Sequence, residues 1–166
     1  MSNFTDEQIE LLINKYSKLL FNISYSYLRD SFYSEDIVQE TFIKLYNSYK
    51  TFNDENHIKN WLIRVVINKS INELKRIKKV IISYDDSIYK YKEDNFLEEK
   101  KTYVYESICL LRNNYKTVII LYYYDDLSIK EISNILKISE GNVSVRLKRA
   151  REKLKEIILK RSDYGQ

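Results

Sequence analysis

Proline is absent from this 166-residue chain, and glycine occurs only as Gly141 and Gly165. Without them most tight turns and β-bulges lose their usual chemistry, and long helices are favoured. Cys109 is the single cysteine and His57 the single histidine, so neither a disulfide framework nor a metal-ligand set can be assembled. Cys109 reads as a buried core residue, His57 as a surface loop residue. No run approaches the roughly 20 apolar residues that a membrane-spanning helix needs. The first residues, Met-Ser-Asn-Phe-Thr-Asp-Glu-Gln, carry acids where a secretory signal carries basic and then apolar residues. The expected location is therefore the cytoplasm. No acid, base and nucleophile converge in the pattern, so no enzymatic activity, small-molecule substrate or cofactor is expected.

What is present is charge in blocks and helical periodicity. Sixteen tyrosines, alongside abundant Ile, Lys and Asn, are attributed to an AT-rich genome and given no role as a class. The net charge of +4 matters less than its distribution. Lys75, Arg76, Lys78 and Lys79 form one basic cluster. Arg146, Lys148, Arg149, Arg151, Lys153 and Lys155 form a denser one, and an acidic-leaning segment lies between them (Asp85, Asp86, Glu93, Asp94, Glu98, Glu99). Two basic surfaces with an acidic connector suggest two contacts with one polyanion.

The fold class expected is all-α, with two small helical domains joined by a flexible linker. Thr5 and Gln8 make a capping-box pair that opens a helix to about Leu28, with Ile9, Leu12, Ile13, Tyr16, Leu19, Leu20 and Ile23 at helical spacing. Ser34 is the expected cap of a second helix, with Glu35 and Asp36 in its first turn and Ile37, Val38, Phe42, Leu45, Tyr46 and Tyr49 on its apolar face. After a polar stretch, Thr51 to His57, a third helix runs from residue 54 or 55 to Lys79. It sets Ile63, Val66, Ile67, Ile71, Leu74 and Ile77 against Arg64, Asn68, Asn72, Lys75 and Lys79. Residues 80–95 read as the linker. Helices over Phe96–Leu111 and Val118–Tyr124 follow, the latter capped by Asn113 or Asn114. Ser128 with Glu131 opens a short helix to Leu136, and Ser139 caps a last one to about Lys160.

The segment Leu127–Leu154 has a helix-turn-helix layout. Ile129, Ile132, Ile135 and Leu136 point inward from the first helix, Val143 and Leu147 from the second. Layout alone does not separate a DNA reader from a basic surface helix that ends a bundle. A capped turn and six acid-free residues, Gly141 to Arg146, favour DNA. Small residues (Gly141, Asn142, Ser144) let backbone approach, and Arg146, Lys148, Arg149 and Lys153 supply donors for phosphates or base edges.

At this point the chain resembles the extracytoplasmic-function subgroup of bacterial sigma factors. Glu35-Asp36-Ile37-Val38-Gln39-Glu40-Thr41-Phe42 is similar to the family's acidic helix, and Trp61-Leu62 with Asn68, Asn72 and Arg76 to its W-L…N…D…R helix. Leu127 to Ile132 and Gly141 to Arg151 resemble the family's S-x-x-E-I-A and G-T-V-x-S-R-x-x-R-A-R segments. The resemblance implies an alternative sigma factor that directs transcription initiation. Its partners would be core RNA polymerase, at clamp and flap regions, and promoter DNA, with an anti-sigma factor as a further candidate. Residues 1–79 would be region 2-like, 80–95 the linker and 96–166 region 4-like. Asp36, Gln39 and Glu40 would dock the clamp, although their residue types alone read as an ordinary solvated helix face. Asn68, Asn72, Lys75 and Arg76 would face the −10 element, with the Thr51–His57 loop near a flipped-out base. Asn142, Ser144, Arg146, Lys148 and Arg149 would read the −35 element. Three departures stand out: Asn72 where the family often has Asp, Arg112 where Pro is usual, and Asn142 where Thr is common. The alternative is a helix-turn-helix regulator that acts without being a polymerase subunit.

Overall fold

A computed structural model describes the backbone of residues 3–83 and 103–164, and the side chains of 3–80 and 103–164. The described residues are helices and the turns between them. By its contacts the chain divides into two compact units, Met1–Asp94 and Asn95–Gln166.

In the first unit α1 (Asp6–Leu28), α2 (Ser31–Tyr46) and α3 (Glu55–Ser83) pack pairwise around one core. The capping box of α1 is formed: Thr5 Oγ1 accepts from the Gln8 amide at 3.2 Å, and Gln8 Oε1 accepts from the Thr5 amide at 2.9 Å. Leu20, Ile23, Leu45, Leu62, Ile63 and Val66 are fully buried, each worth about 1.5–3 kcal/mol of transfer from water. Where α1 meets α3, small residues allow close approach, and Ser70 Oγ donates to Ser24 Oγ at 2.9 Å in a buried pair. Buried hydroxyls need such partners.

The second helix starts earlier than its sequence suggests. Arg29 takes the left-handed conformation (φ 53°) and closes α1, its amide donating to Tyr25 O at 2.9 Å. Asp30 is then extended and caps α2, its carboxylate accepting from the Tyr33 amide at 2.9 Å. Ser34 is therefore no cap. It is buried inside α2, and its hydroxyl donates to Asp30 O at 2.6 Å. Glu35 and Asp36 consequently lie beyond the first turn. Tyr46 and Tyr49 leave the buried face, Tyr49 being 76% exposed, and Ile13 of α1 is exposed as well. His57 belongs to the first turn of α3, half-buried, and not to a loop. The third helix continues through Ser83, so residues 80–83 are helix and not linker; the rest of the expected linker lies outside the described residues.

In the second unit α4 (Tyr103–Cys109), α5 (Asn113–Ile119) and α6 (Ile129–Leu136) all pack on α7 (Glu140–Asp163). Residues 96–102 of the expected Phe96–Leu111 helix lie outside the described residues, and α4 ends at Cys109, which is half-buried. The cap of α5 is Arg112, extended and without a side-chain cap bond, in place of Asn113 or Asn114. The helix begins at Asn113, and Ile120–Tyr124 continues it as a π turn, closed by the Asp125 amide donating to Ile120 O at 3.2 Å. That wider turn buries Ile120 and Leu121. The Ser128–Glu131 capping box is formed as expected. Lys137, left-handed at φ 54°, ends α6, and Ser139 caps α7. Ile132 and Ile135 of α6 are buried, while Ile129 and Leu136 are half-buried.

Candidate nucleic-acid interface

Helix α7 owes its orientation to its apolar stripe. Val143, Leu147 and Ala150 are buried. Asn142, Ser144, Val145, Lys148 and Arg149 therefore face outward, with Arg146 half-buried at the margin of the stripe. Ser139 Oγ accepts from the Asn142 amide at 3.1 Å, which fixes the first turn. At Gly141 an added Cβ would meet only Ser139 Oγ, at 3.9 Å. The protein itself does not require glycine there, and the bare backbone leaves room for another molecule.

The basic residues of α7 divide by partner. Arg151 is tied inward: its Nε donates to Tyr123 Oη at 2.7 Å, and its guanidinium lies over the Tyr122 and Tyr123 rings at 6.0 and 5.6 Å. The π turn supplies both rings. Lys153 pairs with Glu156 at 3.3 Å, and Arg161 bonds Glu106 and Ser107 of α4, each at 3.0 Å. Arg146 Nε donates to Asn142 Oδ1 at 3.0 Å. Val145 was missed by sequence reasoning. It is an apolar residue off the buried stripe, 47% exposed, between Ser144 and Arg146. Its signal was that it breaks the helical period.

Unit 2 also carries an apolar cleft of about 490 Å³ lined by Val104, Ile108, Tyr124, Leu154, Ile158 and Leu159, with Arg151 and Lys155 at its edge.

In unit 1 the four α3 residues Asn68, Asn72, Lys75 and Arg76 are all exposed, and Arg76 is the one with a side-chain partner on its own helix. Asn68, Asn72 and Lys75 are exposed along one side. Arg76 is held on its own helix: its Nε donates to both carboxylate oxygens of Glu73, one turn back, at 3.1 and 3.0 Å. On α2, Asp36 and Gln39 are exposed, but Glu40 accepts from Lys69 of α3 at 2.6 Å. Lys69 was not legible as the partner of Glu40, because the pairing crosses between helices.

The turn between α2 and α3 is held by rings. Phe52 lies 5.9 Å from Phe4, 5.2 Å from His57 and 5.8 Å from Trp61 between centroids, with Lys50 Nζ 6.0 Å from its ring. Asn3 Nδ2 donates to Lys50 O at 3.3 Å. Beside it, Glu55 accepts from both Lys15 and Tyr16. Those bonds hold the Glu55 carboxyl below the usual carboxylate range, while burial and then the Glu55 bond push the Tyr16 phenol up.

Comparison with known proteins decides the family. Residues 12–80 match the model described as Sigma-70 region 2, and residues 101–154 that described as Sigma-70, region 4. RNA polymerase sigma factor SigV of Bacillus subtilis (strain 168) is 32% identical over 156 residues, covering 92% of each chain. The chain belongs to the extracytoplasmic-function subgroup of the sigma-70 family. ECF RNA polymerase sigma factor SigM of the same organism is 30% identical, covering 92% of this chain and 93% of its own. Two solved structures share the fold of this sigma factor. The sigma factor RpoE of Bartonella quintana, in complex with the anti-sigma factor NepR, has a TM-score of 0.69 at 18% identity over 90% of this chain and 95% of its own. CnrH, in complex with the cytosolic domain of CnrY, has a TM-score of 0.70 at 20% identity over 98% of this chain and 92% of its own. Membership makes this chain an alternative RNA polymerase sigma factor, a transcription initiation factor that binds core polymerase and promoter DNA. Among the described residues no helix is long and apolar enough to cross a membrane, and no cluster of three His, Cys, Asp or Glu residues could hold a metal ion.

Proposed function

We propose that the two units of this sigma factor divide promoter recognition. Unit 1, region 2-like and extended through Ser83 of α3, docks the polymerase clamp through Asp36, Gln39 and Glu40 and faces the −10 element with Asn68, Asn72 and Lys75. Arg76, already held by Glu73, orients this face and contributes charge. Unit 2, region 4-like, meets the −35 element with the face formed by Asn142, Ser144, Arg146, Lys148 and Arg149, and its apolar cleft suits an amphipathic segment of the flap. The protein works in the cytoplasm as a binding subunit and performs no catalysis of its own. An anti-sigma protein is proposed as a further partner, since both similar structures named above are complexes, one of them with an anti-sigma factor.

The observation that carries this reading is the outward face of α7. It holds amide, hydroxyl and basic groups at the capped N-terminal end of a helix whose other side is buried. Such an arrangement suits the acceptors that a major groove offers. The test uses holoenzyme reconstituted with Asn68→Ala or Arg149→Ala and a promoter library varied at both elements. Asn68→Ala is expected to alter base preference only at −10, and Arg149→Ala to alter binding only through −35. Identical sequence profiles in the two variants would remove the division of labour.

A further inference from the structure

The exposed start of α7 contains one side-chain pair that constrains what this helix can read. Asn142 and Arg146 are one turn apart, and Arg146 Nε donates to Asn142 Oδ1 at 3.0 Å. An i,i+4 pair is a neighbour on the helix surface, and a bond to a charged donor is stronger than one between neutral groups. The buried neighbours Val143 and Leu147 fix the rotation of the helix, and the Ser139 cap fixes its first turn. The pair is therefore presented in a defined place.

We propose that Asn142 is a positioning residue for Arg146 and not a base reader, and that the pair directs the helix to guanine. The inference rests on the reading of α7 as the −35 helix. Asparagine recognises adenine by accepting from N6 with its oxygen while donating to N7. Here the oxygen is engaged by the guanidinium. With Nε and one lone pair of the oxygen engaged, the pair presents mostly donors: the four Nη hydrogens of Arg146 and the two Nδ2 hydrogens of Asn142, against one remaining lone pair on Oδ1. Guanine offers two acceptors on its major-groove edge, N7 and O6, whereas adenine offers an acceptor beside a donor. A surface dominated by donors fits the first better than the second. Threonine, common at this position in the family, has no amide oxygen that reaches one turn along to the guanidinium. The device therefore follows from this chain's own departure at Asn142.

The experiment compares holoenzymes carrying wild-type factor, Asn142→Ala, Asn142→Thr, Asn142→Asp, Arg146→Ala and the Asn142→Ala/Arg146→Ala double variant. Each binds duplex promoters with all four bases at every −35 position, at two salt concentrations, and circular dichroism verifies folding. Wild type is expected to prefer guanine over adenine at one position, and Arg146→Ala to lose about tenfold or more of that discrimination. Asn142→Ala and Asn142→Thr lose discrimination at the same position, and the double variant loses no more than Arg146→Ala. Asn142→Asp keeps the acceptor, so it retains the preference while its negative charge weakens binding to every sequence. Loss at a different position in Asn142→Ala would make Asn142 an independent reader and overturn the proposal. So would a uniform loss with a shallower salt slope, which marks a phosphate contact. An unchanged −35 profile in Arg146→Ala overturns it too, and if Arg149→Ala also leaves −35 untouched the −35 reading of α7 falls with it.

Discussion

Asp36, Gln39 and Glu40 sit within two turns of α2, yet only Glu40 is committed, to Lys69. Charge reversal therefore means different things at neighbouring positions. Asp36→Lys is expected to weaken association with core polymerase while leaving stability within about ±0.5 kcal/mol. Glu40→Lys should weaken association as well, but it also removes a half-exposed ion pair and sets two lysines together, costing up to about 1 kcal/mol more. Competition against labelled wild-type factor for core polymerase, paired with urea unfolding, separates the two effects. If Asp36→Lys competes as well as wild type, this face is not the clamp contact. The sequence showed these residues as exposed acids and amides on one helix. It could not show Lys69, because that contact depends on how α2 lies against α3.

At the scale of the element, local signals read well and relayed ones did not. Both capping boxes, Thr5–Gln8 and Ser128–Glu131, and the Ser139 cap form where their residues stand, since a cap is written within four residues. Ser34 misled because Asp30 is an equally good cap, and the left-handed Arg29 brings the chain to it first. The π turn at Ile120–Tyr124 had no sequence signal at all: Ile-Leu-Tyr-Tyr-Tyr is compatible with an ordinary helix. The start of α3 yields a pH-dependent prediction. Glu55 is held below its ordinary range by the bonds from Lys15 and Tyr16, so it favours the folded state above the unfolded carboxyl value of about 4.3. This contribution is lost as pH falls through the lower, folded value. Glu55→Gln should thus be less stable than wild type near neutrality, and the two should converge in acid. Parallel stability curves between pH 6 and pH 3 would show that the Lys15–Glu55–Tyr16 bridge adds nothing.

For the whole molecule, the two-unit organisation was legible because two amphipathic sets of helices flank a charged segment without periodicity. The register of the second unit was less legible, since α4 and α5 are each seven residues long, too short for strong periodicity. Each unit has its own core, and Trp61, the only tryptophan, lies in unit 1. Leu20→Ala should destabilise unit 1 by roughly 2–5 kcal/mol and lower the midpoint followed by Trp61 fluorescence. Ile132→Ala should leave that midpoint in place while part of the helical circular dichroism melts earlier. Equal shifts of the fluorescence midpoint in both variants would mean that the two cores unfold as one.

Arg29, Asp126 and Lys137 adopt φ angles of 53°, 52° and 54°, in the region where a side chain crowds its own backbone and glycine is the usual occupant. Two of these residues close helices that glycine closes in many proteins. The strain at these three corners is carried by residues with a Cβ, where glycine would carry none. It also locates unused stability: Lys137→Gly should raise the unfolding free energy of unit 2 by roughly 0.5–1 kcal/mol, read as a higher urea midpoint at constant m-value. A drop in that midpoint would show instead that the Lys137 side chain, and not its backbone, holds the turn between α6 and α7.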